Sequence, residues 1–305
     1  DLKKANEFSI QAVQADEDFR EWSNQISKIT EHIQNGTRNV QQALYDEAID
    51  EYDAISKVHP YFPDAEFYKG LTRFRQKDIE SAARHFSNAL KIYPKHKKAR
   101  KGLDNVTKQF LNAGNKSYKR GDLSKATNYY QKALEFDPQF YLAYFQLGVL
   151  QKKQGQSKAS IESLNKVLDI KPDHDKTWFT LGSVHETDGN NDLAIEHYSK
   201  AIEINPGYSK AYGSLGKLYT EKEEFKKAED ILKTVVQIDS EYANGFMRLG
   251  LLYNELENYK QAAENLKIST DLDDKDHNKY FYLATAYNQL EKWDEAAKAA
   301  QSCID

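Results

Sequence analysis

Along the chain, short stretches of helical hydrophobic periodicity alternate with breaks at a fixed interval. In residues 175–208, Trp178, Leu181 and His185 recur at helical spacing, Gly189-Asn190-Asn191 interrupts them, and Ala194, Tyr198, Ala201 and Ile202 resume the stripe. Pro206 then ends the second helix, because proline lacks an amide donor and restricts its neighbour. The pattern returns every 34 residues: Gly36, Gly70, Gly114, Gly148, Gly182, Gly216 and Gly250 share one register, with one ten-residue slip between Gly70 and Gly114. In the same frame stand Ala48, Ala82, Ala126, Ser160, Ala194, Ala228, Ala262 and Ala296, and Pro60, Pro94, Pro138, Pro172 and Pro206 hold a third register. Glycine on one helix and alanine on the next suit a close crossing, where a larger side chain would push the backbones apart. The spacing therefore predicts a repeated hairpin of two short helices.

These residues resemble the tetratricopeptide repeat family, whose 34-residue signature is Trp-x2-Leu-Gly-x2-Tyr followed by Ala, Phe and Pro. Trp178-x2-Leu181-Gly182 and Tyr212-x2-Leu215-Gly216-x2-Tyr219 carry the match. The resemblance implies an all-α fold, a right-handed α-solenoid or superhelix of about eight helix-turn-helix units. The units fall at residues 29–62, 63–96, 107–140, 141–174, 175–208, 209–242 and 243–276, with a partial unit at 277–305. Residues 97–106 are an insertion without proline, nearly three helical turns long, and predict a lengthened first helix over about 97–119.

Residues 1–28 precede the array, and Phe19, Trp22, Ile26, Ile29 and Ile33 form an i, i+3, i+4 stripe expected to make an amphipathic capping helix. The first unit departs most from the signature. His32, Asn35 and Asn39 replace Trp, Leu and Tyr there, which leaves its first helix weakly specified. Lys69 and Ala113 replace Leu in the next two units, so the amino-terminal third is expected to pack less regularly. The chain stops at Asp305 inside a second helix without a polar cap, so further protein or a partner surface is expected beyond it.

The resemblance also implies that the first helix of each unit lines a concave groove. Its fifth positions carry Ile33, Phe67, Leu111, Phe145, Phe179, Gly213, Met247 and Phe281, an apolar column broken at one glycine. Its sixth positions carry Gln34, Tyr68, Asn112, Gln146, Thr180, Ser214, Arg248 and Tyr282. An apolar column beside a hydrogen-bonding one suits an extended peptide or a helix, whose side chains need pockets and whose backbone needs partners. The candidate groove residues are Phe67, Tyr68, Leu111, Asn112, Asn115, Phe145, Gln146, Phe179, Met247, Arg248, Phe281 and Tyr282. Gly213 divides them into two half-sites, Phe145 with Phe179 and Met247 with Phe281. The alternative is that fifth-position residues pack against the adjoining repeat and meet no ligand. A chaperone-tail clamp of the kind found in some family members is disfavoured: Leu111, Asn115, Gln146, Lys176 and Thr180 satisfy only two of its five positions. The asparagine column of the O-linked N-acetylglucosamine transferase superhelix is matched only by Asn112.

Composition narrows the function further. With 39% hydrophobic and 30% charged residues and only six prolines, the chain is neither disordered nor collagen-like. Its one cysteine, Cys303, excludes an internal disulfide and falls in a slot held elsewhere by alanine, which predicts a small buried filler. No stretch approaches the roughly 20 apolar residues of a membrane span. The chain begins at Asp1 without methionine, so a removed leader is compatible with it; the cytoplasm is favoured and an exported compartment is left open. Charge is segregated: residues 63–140 carry 17 Lys and Arg against 8 Asp and Glu, while residues 1–62 and 141–305 are acidic. Lys95, Lys97, Lys98, Arg100 and Lys101 form the densest basic cluster, which could draw acidic partners or nucleic acid but is more simply a solvated helix face.

Catalytic signatures are absent from the sequence, including phosphate-loop, Gly-x-Ser-x-Gly and His-Glu-x-x-His patterns. His185 and His197 share one unit but lack a third ligand at suitable spacing, so packing is their expected role. The expected function is a non-enzymatic scaffold that holds a peptide or helix of a partner protein and supports complex assembly. No cofactor, metal or small-molecule substrate is expected, and nucleic acid is disfavoured. The alternative is a substrate-recruiting arm of a larger enzyme, such as a glycosyltransferase, whose catalytic domain lies outside this chain. Self-association through the terminal helices is a further expectation.

Overall fold

The computed structural model describes residues 2–12 and 17–303, and among these are seventeen α-helices and no β-strand. The chain forms two compact units, residues 1–146 and 147–305. The first contains α1 (Leu2–Ala12), α2 (Glu17–Gln41), α3 (Tyr45–Val58), α4 (Pro63–Arg75), α5 (Ile79–Ile92), α6 (Lys97–Lys119), α7 (Leu123–Phe136) and the start of α8 (Tyr141–Lys153). The second contains the rest of α8, then α9 (Ser157–Ile170), α10 (Asp175–Thr187), α11 (Asn191–Ile204), α12 (Ser209–Glu221) and α13 (Phe225–Ile238). It ends with α14 (Ala243–Glu255), α15 (Tyr259–Leu272), α16 (His277–Gln289) and α17 (Trp293–Ser302). Within the units each first helix packs on the helix that follows it, as α4 does on α5 and α10 on α11.

One contact is repeated in every complete hairpin. The glycines of the shared register face, on the partner helix, Tyr52, Phe86, Tyr130, Leu164, Tyr198, Leu232 and Leu266 in turn. A Cβ on Gly182 would stand 2.7 Å from the Tyr198 ring, so the ring occupies the space that the missing side chain leaves. The small residues of the second helix, from Ala48 to Ala262, are fully buried beside this contact. Where serine replaces alanine, at Ser160, its hydroxyl donates to the Gly148 carbonyl at 2.8 Å, which satisfies the one polar group the substitution buries.

The turn inside each hairpin is as regular. Ala43, Lys77, Gly121, Gly155, Gly189, Glu223, Glu257 and Glu291 hold the same place in eight hairpins, and all have φ between 56° and 83°. This is the left-handed region, which glycine reaches without cost and other residues reach at a penalty. Between hairpins, a tight turn carries Pro60, Pro94, Pro138, Pro172 or Pro206, two residues past the helix end.

Three expectations about the amino-terminal region need correction. The first helix of the unit at 29–62 is fully formed: α2 runs without a break from Glu17 to Gln41, through the boundary drawn at residue 29. Gly36 packs on Tyr52 and Ile26 and Ile29 are buried, so hairpin contacts hold the helix where the signature residues are missing. Phe19 of the predicted stripe lies outside the described side chains, and Trp22 is exposed. Lys69, expected to loosen the packing, is buried at 6% exposure and paired with Glu66 and with Asp53, the latter at 2.9 Å. At the other end Cys303, expected to be a buried filler, is half-exposed as the residue that ends α17.

Candidate functional site

The fold covers part of the fifth-position column: Phe67, Leu111 and Gly213 are buried, Ile33, Phe145, Phe179 and Met247 are half-buried, and Phe281 is exposed. Phe67 and Leu111 are 7% and 9% exposed. Phe67 lies against Phe86 at 6.0 Å between ring centroids and against His96 at 5.3 Å. Phe179 packs likewise on Tyr198 at 5.3 Å and on Tyr208 at 5.0 Å. At Gly213 a Cβ would stand 2.8 Å from the Tyr242 hydroxyl, so the gap that divided the column is filled by the Tyr242 side chain. His96, Tyr208 and Tyr242 are each the last residue of their own unit and cap the following helix. The sequence carries this signal: Phe62, His96, Phe140, His174, Tyr208 and Tyr242 put an aromatic or imidazole ring at that register in six units. Phe67 and Phe179 therefore pack on neighbouring rings, and Leu111 is buried.

The remaining candidates divide by exposure. Met247 and Tyr282 are half-buried against the core built by Leu249, Leu252, Leu266 and Leu283. Phe281 is 59% exposed, with its ring 5.5 Å from that of Tyr282. In residues 1–146, Tyr68 stacks on Tyr52 at 5.4 Å, Asn115 accepts a hydrogen bond from the Tyr130 hydroxyl at 2.8 Å, Asn112 is exposed, and Phe145 and Gln146 are half-buried.

Within residues 147–305 the structure assembles a polar network along the first helices α8, α10, α12 and α14. The Tyr198 hydroxyl, rising from α11, donates to Glu186 at 2.5 Å. Glu186 also accepts from the Lys217 ammonium at 2.8 Å, and Lys217 reaches Glu221 at 3.3 Å. Lys152 donates to the Ser183 hydroxyl. Arg248 Nε donates to the Asn244 side chain at 2.8 Å. Among the described residues Lys152 and Arg248 take part in no ion pair, although both are half-buried.

The electrostatics follow from these contacts. Burial raises the Glu186 pKa, but hydrogen bonds from Lys217 and Tyr198 outweigh it and hold the carboxyl below its ordinary value. Burial lowers the Lys152 pKa, opposed only by the charge of Glu186. Lys217 is raised by its hydrogen bond to Glu186. Arg248 acts on Glu186 through its charge. The arrangement is therefore a spent carboxylate flanked by two cations whose own charges are not neutralised by a direct partner. Of this network only Arg248 was among the sequence-derived candidates. Lys152, Ser183, Glu186 and Lys217 lie on the ninth and twelfth positions, where no hydrophobic pattern points.

Chemistry of other kinds finds little purchase. His185 and His197 lie 5.1 Å apart between ring centroids and tilted by 35°, with Trp178 5.5 Å from His197, as packed aromatic side chains do. Among the described residues no group of three or more His, Cys, Asp or Glu is placed to hold a metal ion. No helix among them is long and apolar enough to cross a membrane.

Comparison with known proteins bears on the same registers. Five family models match: one described as TPR repeat at residues 114–155, and four described as tetratricopeptide repeat at 34–97, 141–174, 187–247 and 280–305. No curated protein matches the chain. Among solved structures, PilF of Pseudomonas aeruginosa is 17% identical with a TM-score of 0.59, over 65% of this chain and 90% of its own. PilW, described as a widely conserved type IV pilus biogenesis factor, is 18% identical with a TM-score of 0.57, over 64% and 90%. MamA is 25% identical with a TM-score of 0.48, over 55% and 92%. PilF and PilW share the fold of stacked helical hairpins. The family matches fall in both compact units, on the glycine, alanine and proline registers that build the hairpins, and the chain belongs to the tetratricopeptide repeat family.

Proposed function

We propose that the chain is a non-catalytic scaffold that holds an extended segment of a partner protein against the first helices of residues 147–305. Lys152, Ser183, Ser214 and Arg248 are the contacts. The observation that carries this reading is the pair of half-buried cations, Lys152 and Arg248, that take part in no ion pair beside a carboxylate already engaged by Lys217. A half-buried charge without a direct counter-charge is costly, and a carboxylate brought by a partner would offset that cost. Ser183 and Ser214 offer hydroxyls to a backbone lying along the same face. Membership of a family built for protein binding supports the same reading.

Panning a random peptide library against the intact chain tests the proposal. The selected peptides are expected to carry Asp or Glu and to lose the Lys152→Ala/Arg248→Ala variant as a target, while that variant keeps its helical circular dichroism. Selection of peptides that bind the variant equally well would remove the proposed site.

A further inference from the structure

We propose that the outward face of α6 is a second binding surface, distinct from the polar network of residues 147–305, and that it takes an acidic polypeptide segment. α6 has a buried side and a solvent side. Ala99, Leu103, Val106, Phe110, Leu111 and Gly114 are buried against its neighbours α4, α5 and α7. The opposite side carries Lys97, Lys98, Lys101, Lys108, Lys116 and Lys119, all exposed, and Arg120 follows at the helix end. The other exposed residues of that side are amides, Asn105, Gln109 and Asn112. Asp104, the one acidic residue of the helix, is half-buried at its edge. Arg100 pairs with Asp137 at 3.2 Å, but none of the six lysines enters an ion pair among the described residues.

At the amino end of α6 this charge runs against the stability of the helix, whereas Lys116 and Lys119 lie in the last turn, where the dipole favours cations. A helix amino terminus is already positive and favours Asp or Glu in its first turn. α6 has no acidic residue in its first turn and places Lys97 and Lys98 there, with Lys101 one turn on. Local choices that oppose the fold mark positions kept for another purpose. The strip is long as well as basic: 23 residues at 1.5 Å each give about 34 Å. An extended segment of about ten residues spans that length.

A polypeptide fits this surface better than nucleic acid. The exposed side carries no aromatic residue on which an unpaired base could stack. With α5 and α7 packed along it, α6 is not free to enter a duplex major groove about 12 Å wide. Lysines supply point charges without the planar fork that guanidinium groups offer to phosphate, whereas the interleaved amides can bond a peptide backbone.

The test uses the intact chain and three labelled probes of equal charge: a Glu-rich peptide of about ten residues, a single-stranded RNA and a short DNA duplex. Binding is read by fluorescence anisotropy at about 0.15 M salt, where exposed charges more than about 8 Å apart are largely screened. The peptide should bind more tightly than either nucleic acid. Made in the Lys152→Ala/Arg248→Ala background, which removes the other site for acidic peptides, Lys98→Glu/Lys101→Glu should weaken peptide binding at least about tenfold, with a melting temperature no lower than that of the same background. The Lys158→Glu/Lys226→Glu variant, made in that background and changing net charge equally on exposed positions elsewhere, should bind as the background does. Equal weakening by both variants, no peptide binding, or tighter binding of a nucleic acid would each overturn the proposal.

Discussion

Gly182 and Tyr198 show at the residue scale why the array tolerates so little change at one register. The ring fills the space of a missing Cβ, and any larger residue at Gly182 must displace it. Gly182→Leu is expected to destabilise the chain by about 1–3 kcal/mol through overpacking, read as a lowered denaturant midpoint. Glu66 makes a different kind of contact. Burial raises its pKa, but hydrogen bonds from His85 and Lys69 outweigh burial and hold it at about 2. A carboxyl whose pKa is depressed from 4.5 by folding adds stability above about pH 4.5, and that stability is lost as the pH falls toward 2. Glu66→Gln should therefore destabilise the chain by about 3 kcal/mol at neutral pH, because it strips a buried lysine of one partner. The difference between parent and variant should shrink as acid denaturation is followed below pH 4.5. A pH-independent difference would show that the carboxylate charge is not what Lys69 needs.

Elements were legible where composition and geometry coincide. The glycine, alanine and proline registers mark crossings and turns that only small or rigid residues satisfy, and the insertion at residues 97–106 lies within the single helix α6. The turn inside the hairpin was less legible, because only three of its eight left-handed positions are glycine. Glu223→Gly should relieve that strain and raise stability by up to about 1 kcal/mol, measured as a higher melting temperature. No gain would mean that the Glu223 side chain contributes as much as the backbone loses. The first helix of the unit at 29–62 was illegible for the opposite reason: its signature residues are absent, and long-range packing on Tyr52 supplies what local pattern does not. The last hairpin is the least buried, with Phe281 and Trp293 exposed and Ala299 the only buried residue of α17. Amide exchange should be fastest there and slowest in α14 and α15, as expected of arrays whose stability is a sum of neighbour contacts.

For the whole molecule, charge and exposure separate two kinds of surface. The basic strip of α6 is exposed and repels itself, whereas the network around Glu186 is half-buried and holds a carboxylate among its cations. Of the apolar column that the sequence offers most visibly, Phe67, Leu111 and Phe179 are used by the fold for packing. A residue's periodicity shows that it is apolar and on one face, but whether a neighbouring ring covers it depends on contacts formed only on folding. Ser214 and Arg248 stand in the sixth-position column legible in the sequence, whereas Lys152, Ser183 and Glu186 have no periodic signature and emerge only from the structure. The central claim is therefore that partners meet the polar positions, not the fifth-position column. The most direct measurement is the affinity of a library-selected peptide for two variants, each followed alongside its thermal unfolding. Lys152→Ala/Arg248→Ala should weaken binding at least about tenfold while the melting temperature stays close to that of the parent, and Phe179→Ala should lower the melting temperature while the folded protein still binds. Loss of binding in a stably folded Phe179→Ala variant, with binding intact in Lys152→Ala/Arg248→Ala, would contradict the account.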